Sequence, residues 1–178
     1  FLSKNMHTDK VNAFNEHVKI NELALSEGKE MRVFLSMAYG NPYGDTWNRD
    51  LLFEETGNLI AAGITQISLS DTVGQATPEI LYDTSRKLIG EFDVNLFSLH
   101  LHTRADNYFE KLSIAHETGF RHFETAVGGF GGCPMSGCDL MGNLNTFSLL
   151  DWCNKKGISP SVDIKNLQKA HQNFLQLV

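Results

Sequence analysis

VNLFSLHLH, residues 94–102, is the stretch whose reading decides the fold. Its branched and aromatic residues between polar flanks predict a β-strand. Side chains alternate along a strand, so Val94, Leu96, Ser98, His100 and His102 fall on one face and Phe97, Leu99 and Leu101 on the other. Gly90 closes the helical pattern before it. Another helical pattern, Asn107 to Thr118, follows the polar step TRADN.

The same unit repeats in both directions along the chain. MRVFLSMA (31–38), ITQISLS (64–70) and FRHFETAV (120–127) read as further strands. Helices are predicted from Asp9 to Glu27, from Arg49 to Ala62, from Pro78 to Gly90, and near 146–156 and 163–177. The helix-stop glycines Gly28, Gly63, Gly90 and Gly119 recur every 27 to 35 residues, each followed by a short apolar strand. That alternation predicts a parallel α/β sheet. Two architectures accommodate four such units, a small doubly wound sheet and half of a (β/α)8 barrel. A complete barrel takes about 250 residues, so length favours the doubly wound sheet. The strand ends weigh the other way.

Composition narrows the function. The chain has 178 residues with 42% hydrophobic and 20% charged side chains, enough for one domain with a real core. The net charge of −6 argues against a nucleic-acid surface. No apolar run approaches the roughly 18 residues of a membrane span, so no membrane partner is expected. The start shows no signal or transit peptide, and Phe1 is not a natural start residue, so the true N-terminus is expected upstream. Three cysteines, Cys133, Cys138 and Cys153, are an odd number. They fit a reduced, cytoplasmic setting better than a disulfide framework.

In parallel α/β folds, function collects at the C-terminal ends of the strands. Here those ends read AYGNPYGD (38–45), LSDTVGQATP (69–78), SLHLHTRADN (98–107) and AVGGFGGCP (126–134), all polar, glycine-rich or reactive. His100 and His102 sit about 7 Å apart along one strand face. They can ligate one metal ion or form a hydrogen-bonded pair. Asp71 ends its strand before a glycine turn, where it either caps the loop or serves as a carboxylate near a substrate. Cys133 lies between Gly132 and Pro134, where a thiol can move protons or can fill a tight turn. A zinc site built from Cys133, Cys138, His100 and His102 has the wrong spacing.

These residues together resemble the 3-hydroxy-3-methylglutaryl-CoA lyase family, among the DRE-type TIM-barrel metal-dependent lyases and synthases. The likeness runs through FLSKN at the start, AYGNPYGD, SLSDTVGQATP, the HLH pair, and GGFGGCP with its trailing Gly142-Asn143. It implies a (β/α)8 TIM barrel, of which this chain covers strands five to eight, their helices and a C-terminal helix. Residues 1–178 would be the C-terminal half of one catalytic domain. It implies a divalent metal, Mg2+ or Mn2+ ahead of Zn2+, held by His100, His102 and the amide oxygen of Asn143. Cys133 resembles the catalytic thiol and Asp71 the carboxylate near the substrate hydroxyl. His100 belongs to the catalytic set as well as the metal set. The family's Arg-Asp pair on strand one has no counterpart in these residues.

The implied activity is retro-Claisen cleavage of 3-hydroxy-3-methylglutaryl-CoA to acetyl-CoA and acetoacetate, with an acyl-CoA substrate and a homodimeric assembly. An acetyl-CoA-dependent condensing synthase or aldolase on the same scaffold is the first alternative. A non-catalytic metal-binding half-barrel is the second. The chain departs from the family at Met135, where a tyrosine is common, at Thr103, where an aspartate is, and at Asn41, where a cysteine is. The loop from Cys133 to Asn143 is one residue longer. These departures leave the metal set intact and bear on substrate choice.

Overall fold

The computed structural model describes residues 2–132 and 141–177. In chain order the elements are α1 (Leu2–Asn5), α2 (Lys10–Ser26), β1 (Val33–Leu35), α3 (Arg49–Ala61), β2 (Ile67–Ser70), α4 (Pro78–Glu91), β3 (Phe97–His100), α5 (Tyr108–Glu117), β4 (Phe123–Glu124), α6 (Thr146–Lys155) and α7 (Ile164–Phe174). The strands are parallel and lie in the order β1-β2-β3-β4. A doubly wound sheet would reverse direction at a switch point. This sheet advances one strand at a time, as one arc of a barrel does.

Local chemistry sets the helix ends. Asp9, Asn48 and Thr77 accept hydrogen bonds from the backbone N–H groups of Asn12, Leu51 and Ile80, satisfying donors that the first turn leaves free. Pro78 takes the first helical position of α4. Gly28, Gly63 and Gly119 stop their helices with φ of +64°, +79° and +116°. Gly90 does not close α4 as the sequence pattern predicts. The helix runs on to Glu91, and Phe92 ends it by stacking on Phe53 and meeting Phe97 edge-on. The aromatic anchor decides this end, not glycine's backbone freedom.

The strands are shorter than their apolar runs. Val94–Leu96 forms a 3-10 turn, so β3 starts at Phe97, and the predicted strand face is real only from Ser98 onward. Ile67 and Leu69 of β2 and Phe97 and Leu99 of β3 pack against Leu52, Leu59, Leu81, Leu88, Leu112 and Trp152. The alternate residues, Ser68, Ser70, Ser98 and His100, form the opposite face. The register aligns Ser68 with Ser98, Ser70 with His100 and His100 with Glu124. Among the described residues, no helix is long and apolar enough to cross a membrane.

Candidate active site

The polar face ends in a cleft at the C-terminal edge of the sheet, and backbone pairing builds its far wall. The Thr103 N–H donates to the Gly142 carbonyl at 3.1 Å, and the Leu144 N–H donates to the Leu101 carbonyl at 2.9 Å. His102 and Asn143 thereby become antiparallel partners. The Ala126 N–H donates to the Leu144 carbonyl at 3.0 Å. The segment 142–144 is therefore pinned between the ends of β3 and β4, and its asparagine stands beside the second histidine.

The cleft encloses about 310 Å³ and is lined by His100, His102, Asn143, Gly132, Ser70, Thr72 and Phe34. The two imidazole centroids are 5.3 Å apart, closer than a regular strand spacing because His102 lies past the end of β3. Asn143 Nδ2 donates to the Phe130 carbonyl at 2.8 Å. That fixes the amide and leaves Oδ1 buried with no well-formed hydrogen bond among the described residues, beside the His102 ring whose protonated form it favours. Close approach to this amide explains one glycine of the loop. Gly131 has φ of +95°, and a Cβ there would stand 2.7 Å from Asn143 Nδ2. Burial, helped by the neighbouring His100, pushes the His102 pKa down, which keeps a free ring nitrogen available at neutral pH.

Glu124 joins this face from β4, a residue the sequence pattern did not single out. Its Oε2 lies 3.2 Å from His100 Nδ1. Its Oε1 accepts from Ser98 Oγ at 2.6 Å and from Arg32 Nη1 at 3.3 Å. Burial would raise its pKa, but hydrogen bonds from His100 and Ser98 outweigh that and bring it down to about 2. Phe34 meets the His100 ring edge-on at 5.7 Å.

Asp71 takes the loop-capping place of its two sequence readings. Its Oδ1 accepts from the Ala76 N–H at 2.9 Å, and its Oδ2 accepts from Lys111 Nζ at 2.7 Å. Both groups are almost fully buried. Ser70 and Thr72 border the cleft while the carboxylate between them meets Lys111 of α5. Lys111 also donates to the His102 carbonyl at 3.1 Å, linking β2, α5 and the histidine pair. Burial and the nearby Asp71 charge raise the Tyr39 pKa, keeping that phenol neutral under the same turn. The signal for Lys111 was a cation on the apolar stripe of a helix, next to Leu112 and four residues before Ala115. The signal for Glu124 was a carboxylate inside an apolar strand.

Cys133 and Cys138 lie outside the described residues. Gly132, just before Cys133, lines the cleft. Cys153 is buried in the core, and burial raises its thiol pKa, in keeping with an inert packing role.

A family model described as HMGL-like matches residues 1–173. The chain belongs to the HMGL-like family. Mitochondrial hydroxymethylglutaryl-CoA lyase of Mus musculus is 27% identical over 170 residues, covering 96% of this chain and 52% of that protein. Hydroxymethylglutaryl-CoA lyase YngG of Bacillus subtilis (strain 168) is 26% identical over 171 residues, covering 94% and 56%. The HMGL-like chain thus spans about half the length of the curated relatives it matches. A crystal structure of Bacillus subtilis HMG-CoA lyase superposes with a TM-score of 0.90 at 24% identity, over 98% of this chain and 58% of that one. An Acinetobacter baumannii HMG-CoA lyase in complex with coenzyme A and 3-methylmalate superposes with a TM-score of 0.88 at 25% identity, over 98% and 57%. The sheet is therefore a partial TIM barrel of this family.

A divalent metal fits the residues present. Two imidazoles and a buried amide oxygen line one cleft, a mixed nitrogen and oxygen set suited to a hard or borderline ion. Among the described residues, no group of three or more His, Cys, Asp or Glu side chains is placed to hold a metal. The donors that share the cleft in this HMGL-like chain are those of His100, His102 and Asn143.

Proposed function

We propose that this chain forms one half of a site that cleaves 3-hydroxy-3-methylglutaryl-CoA to acetyl-CoA and acetoacetate. The observation that carries the reading is the buried side-chain oxygen of Asn143, without a well-formed hydrogen bond among the described residues, in the same cleft as His100 and His102 of a member of the HMGL-like family. His100, His102 and Asn143 would hold Mg2+ or Mn2+. When bound, such an ion supplies Lewis acidity that makes the substrate's tertiary hydroxyl easier to deprotonate. A carboxylate ligand and an arginine would come from the first strand of a complete barrel.

The alcohol gives its proton to solvent water in the cleft, and the bond to the thioester α-carbon breaks. Its electron pair goes to that carbon, and the remaining fragment becomes the ketone acetoacetate. The α-carbon then needs a proton, which Cys133 delivers as a general acid. Gly131 and Gly132 let the backbone before Cys133 come close to the cleft. Asp71 and Lys111 act at one remove, holding the His102 carbonyl in place.

The test is acetyl-CoA release from 3-hydroxy-3-methylglutaryl-CoA by the full-length protein, with Mn2+ or Mg2+ and after chelation. Release that needs the metal and collapses in Cys133→Ala supports the reading. No release from folded, metal-supplied protein overturns it. Activity with acetyl-CoA and a 2-oxo acid would then assign the condensing branch.

A further inference from the structure

Two charged residues, Glu124 and Lys111, touch the histidine pair without lining the cleft. We propose that Glu124 is a positioning residue that fixes the His100 imidazole with its proton on Nδ1, leaving the Nε2 lone pair for the cleft. The inference rests on the metal reading above for its consequence, though its geometry stands apart from any ion.

β3 and β4 set Glu124 directly opposite His100 in register. Oε2 lies 3.2 Å from Nδ1, within hydrogen-bond reach. A carboxylate paired with a guanidinium is an acceptor only, so the nitrogen facing it must carry the proton. An unprotonated Nδ1 there would set two acceptors against each other. The carboxylate cannot turn away to relieve this, because Ser98 and Arg32 hold its other oxygen at 2.6 and 3.3 Å. The imidazole is confined in turn by Phe34 and His102, at centroid distances of 5.7 and 5.3 Å. The tautomer is thus set by fixed neighbours before any ligand arrives. A carboxylate that holds the far nitrogen of a ligating histidine orients the ring and makes it a more basic ligand.

The experiment uses full-length protein with isotope-labelled histidine. Long-range proton–nitrogen correlation in the metal-free state at about pH 8, where a free imidazole is neutral, reads the His100 tautomer directly. The wild type is expected to show Nδ1–H alone. Glu124→Gln, whose amide both donates and accepts, is expected to show a mixture of tautomers. Its Mn2+ affinity should be weaker by about 10- to 100-fold. Glu124→Asp should restore part of both, and unchanged circular dichroism would exclude unfolding.

An Nε2–H tautomer in the wild type, or a population unmoved by Glu124→Gln, overturns the proposal. Should Glu124→Gln fail to fold, the wild-type spectrum still decides. Mn2+ that leaves both histidine resonances sharp would overturn the metal reading and not the orientation of His100.

Discussion

Adjacent residues of β2 and β3 meet two environments. Ile67, Leu69, Phe97 and Leu99 face the helices and join one continuous apolar cluster. Ser68, Ser70, Ser98 and His100, one residue away in each case, face the inside of the arc and lead to the cleft. Burial does not separate the two sets, since Ser68 is 0% exposed, as Leu69 is. Chemistry does. Burying a leucine side chain stabilises by roughly 1.5–3 kcal/mol, whereas a buried hydroxyl costs free energy unless it is bonded. Ser68 Oγ makes no well-formed hydrogen bond among the described residues and interacts only weakly with the Glu124 carboxylate. One face therefore carries the stability and the other carries polar groups at a stability cost, which is the arrangement a ligand site requires.

Five substitutions, in four experiments, probe this contrast. The largest effect is expected where the two regions join, at the Lys111–Asp71 pair. Lys111→Met should destabilise by about 3–5 kcal/mol in chemical denaturation, because it leaves a buried carboxylate uncompensated. Adding Asp71→Leu should recover much of that loss. Failure to recover would show that the pair does more than neutralise itself.

Next comes the helix-facing side. Leu69→Ala should cost about 2–5 kcal/mol, since the surrounding side chains cannot close the cavity fully. Metal binding, where the protein remains folded, should be little changed.

The third concerns acid. The Glu124 carboxylate is held at about 2 in the folded chain against an ordinary value of 4.5. A depressed carboxylate contributes stability that is fully present above the ordinary value and is lost as the pH falls through the folded one. The melting temperature should therefore drop between about pH 4.5 and pH 2 more steeply in the wild type than in Glu124→Gln. Parallel curves would show that the hydrogen bonds to Glu124 add nothing to folding.

The smallest effect belongs to Ser68→Ala, expected to change stability by less than about 1 kcal/mol, since its hydroxyl makes no well-formed bond among the described residues and only a weak interaction with Glu124. Its neighbour Leu69 supplies the comparison under the same conditions.

Much of this arrangement was legible in the sequence. Helix-stop glycines and apolar strands foretold the alternation, and the HLH pair and trailing asparagine, singled out from sequence, line one cleft. The lapses have physical causes. Gly90 stays helical because the Phe92 contact closes α4 one turn position later. Val94–Leu96 turns instead of extending because Asp93 accepts a hydrogen bond from the Asn95 N–H. The sequence left Asp71 open between a loop cap and a substrate carboxylate because Lys111, its partner, lies on another element. The partners of Glu124 were hidden for the same reason. Alternation gives the face of a residue but not what the next strand sets opposite it, and that depends on register.

The most direct test of a metal-holding inner face is a calorimetric Mn2+ titration of the full-length protein beside His102→Ala and Asn143→Ala. Saturable binding in the wild type that weakens by at least about ten-fold in each folded variant is the predicted result. Equal binding in all three proteins would contradict it and would place any ion elsewhere.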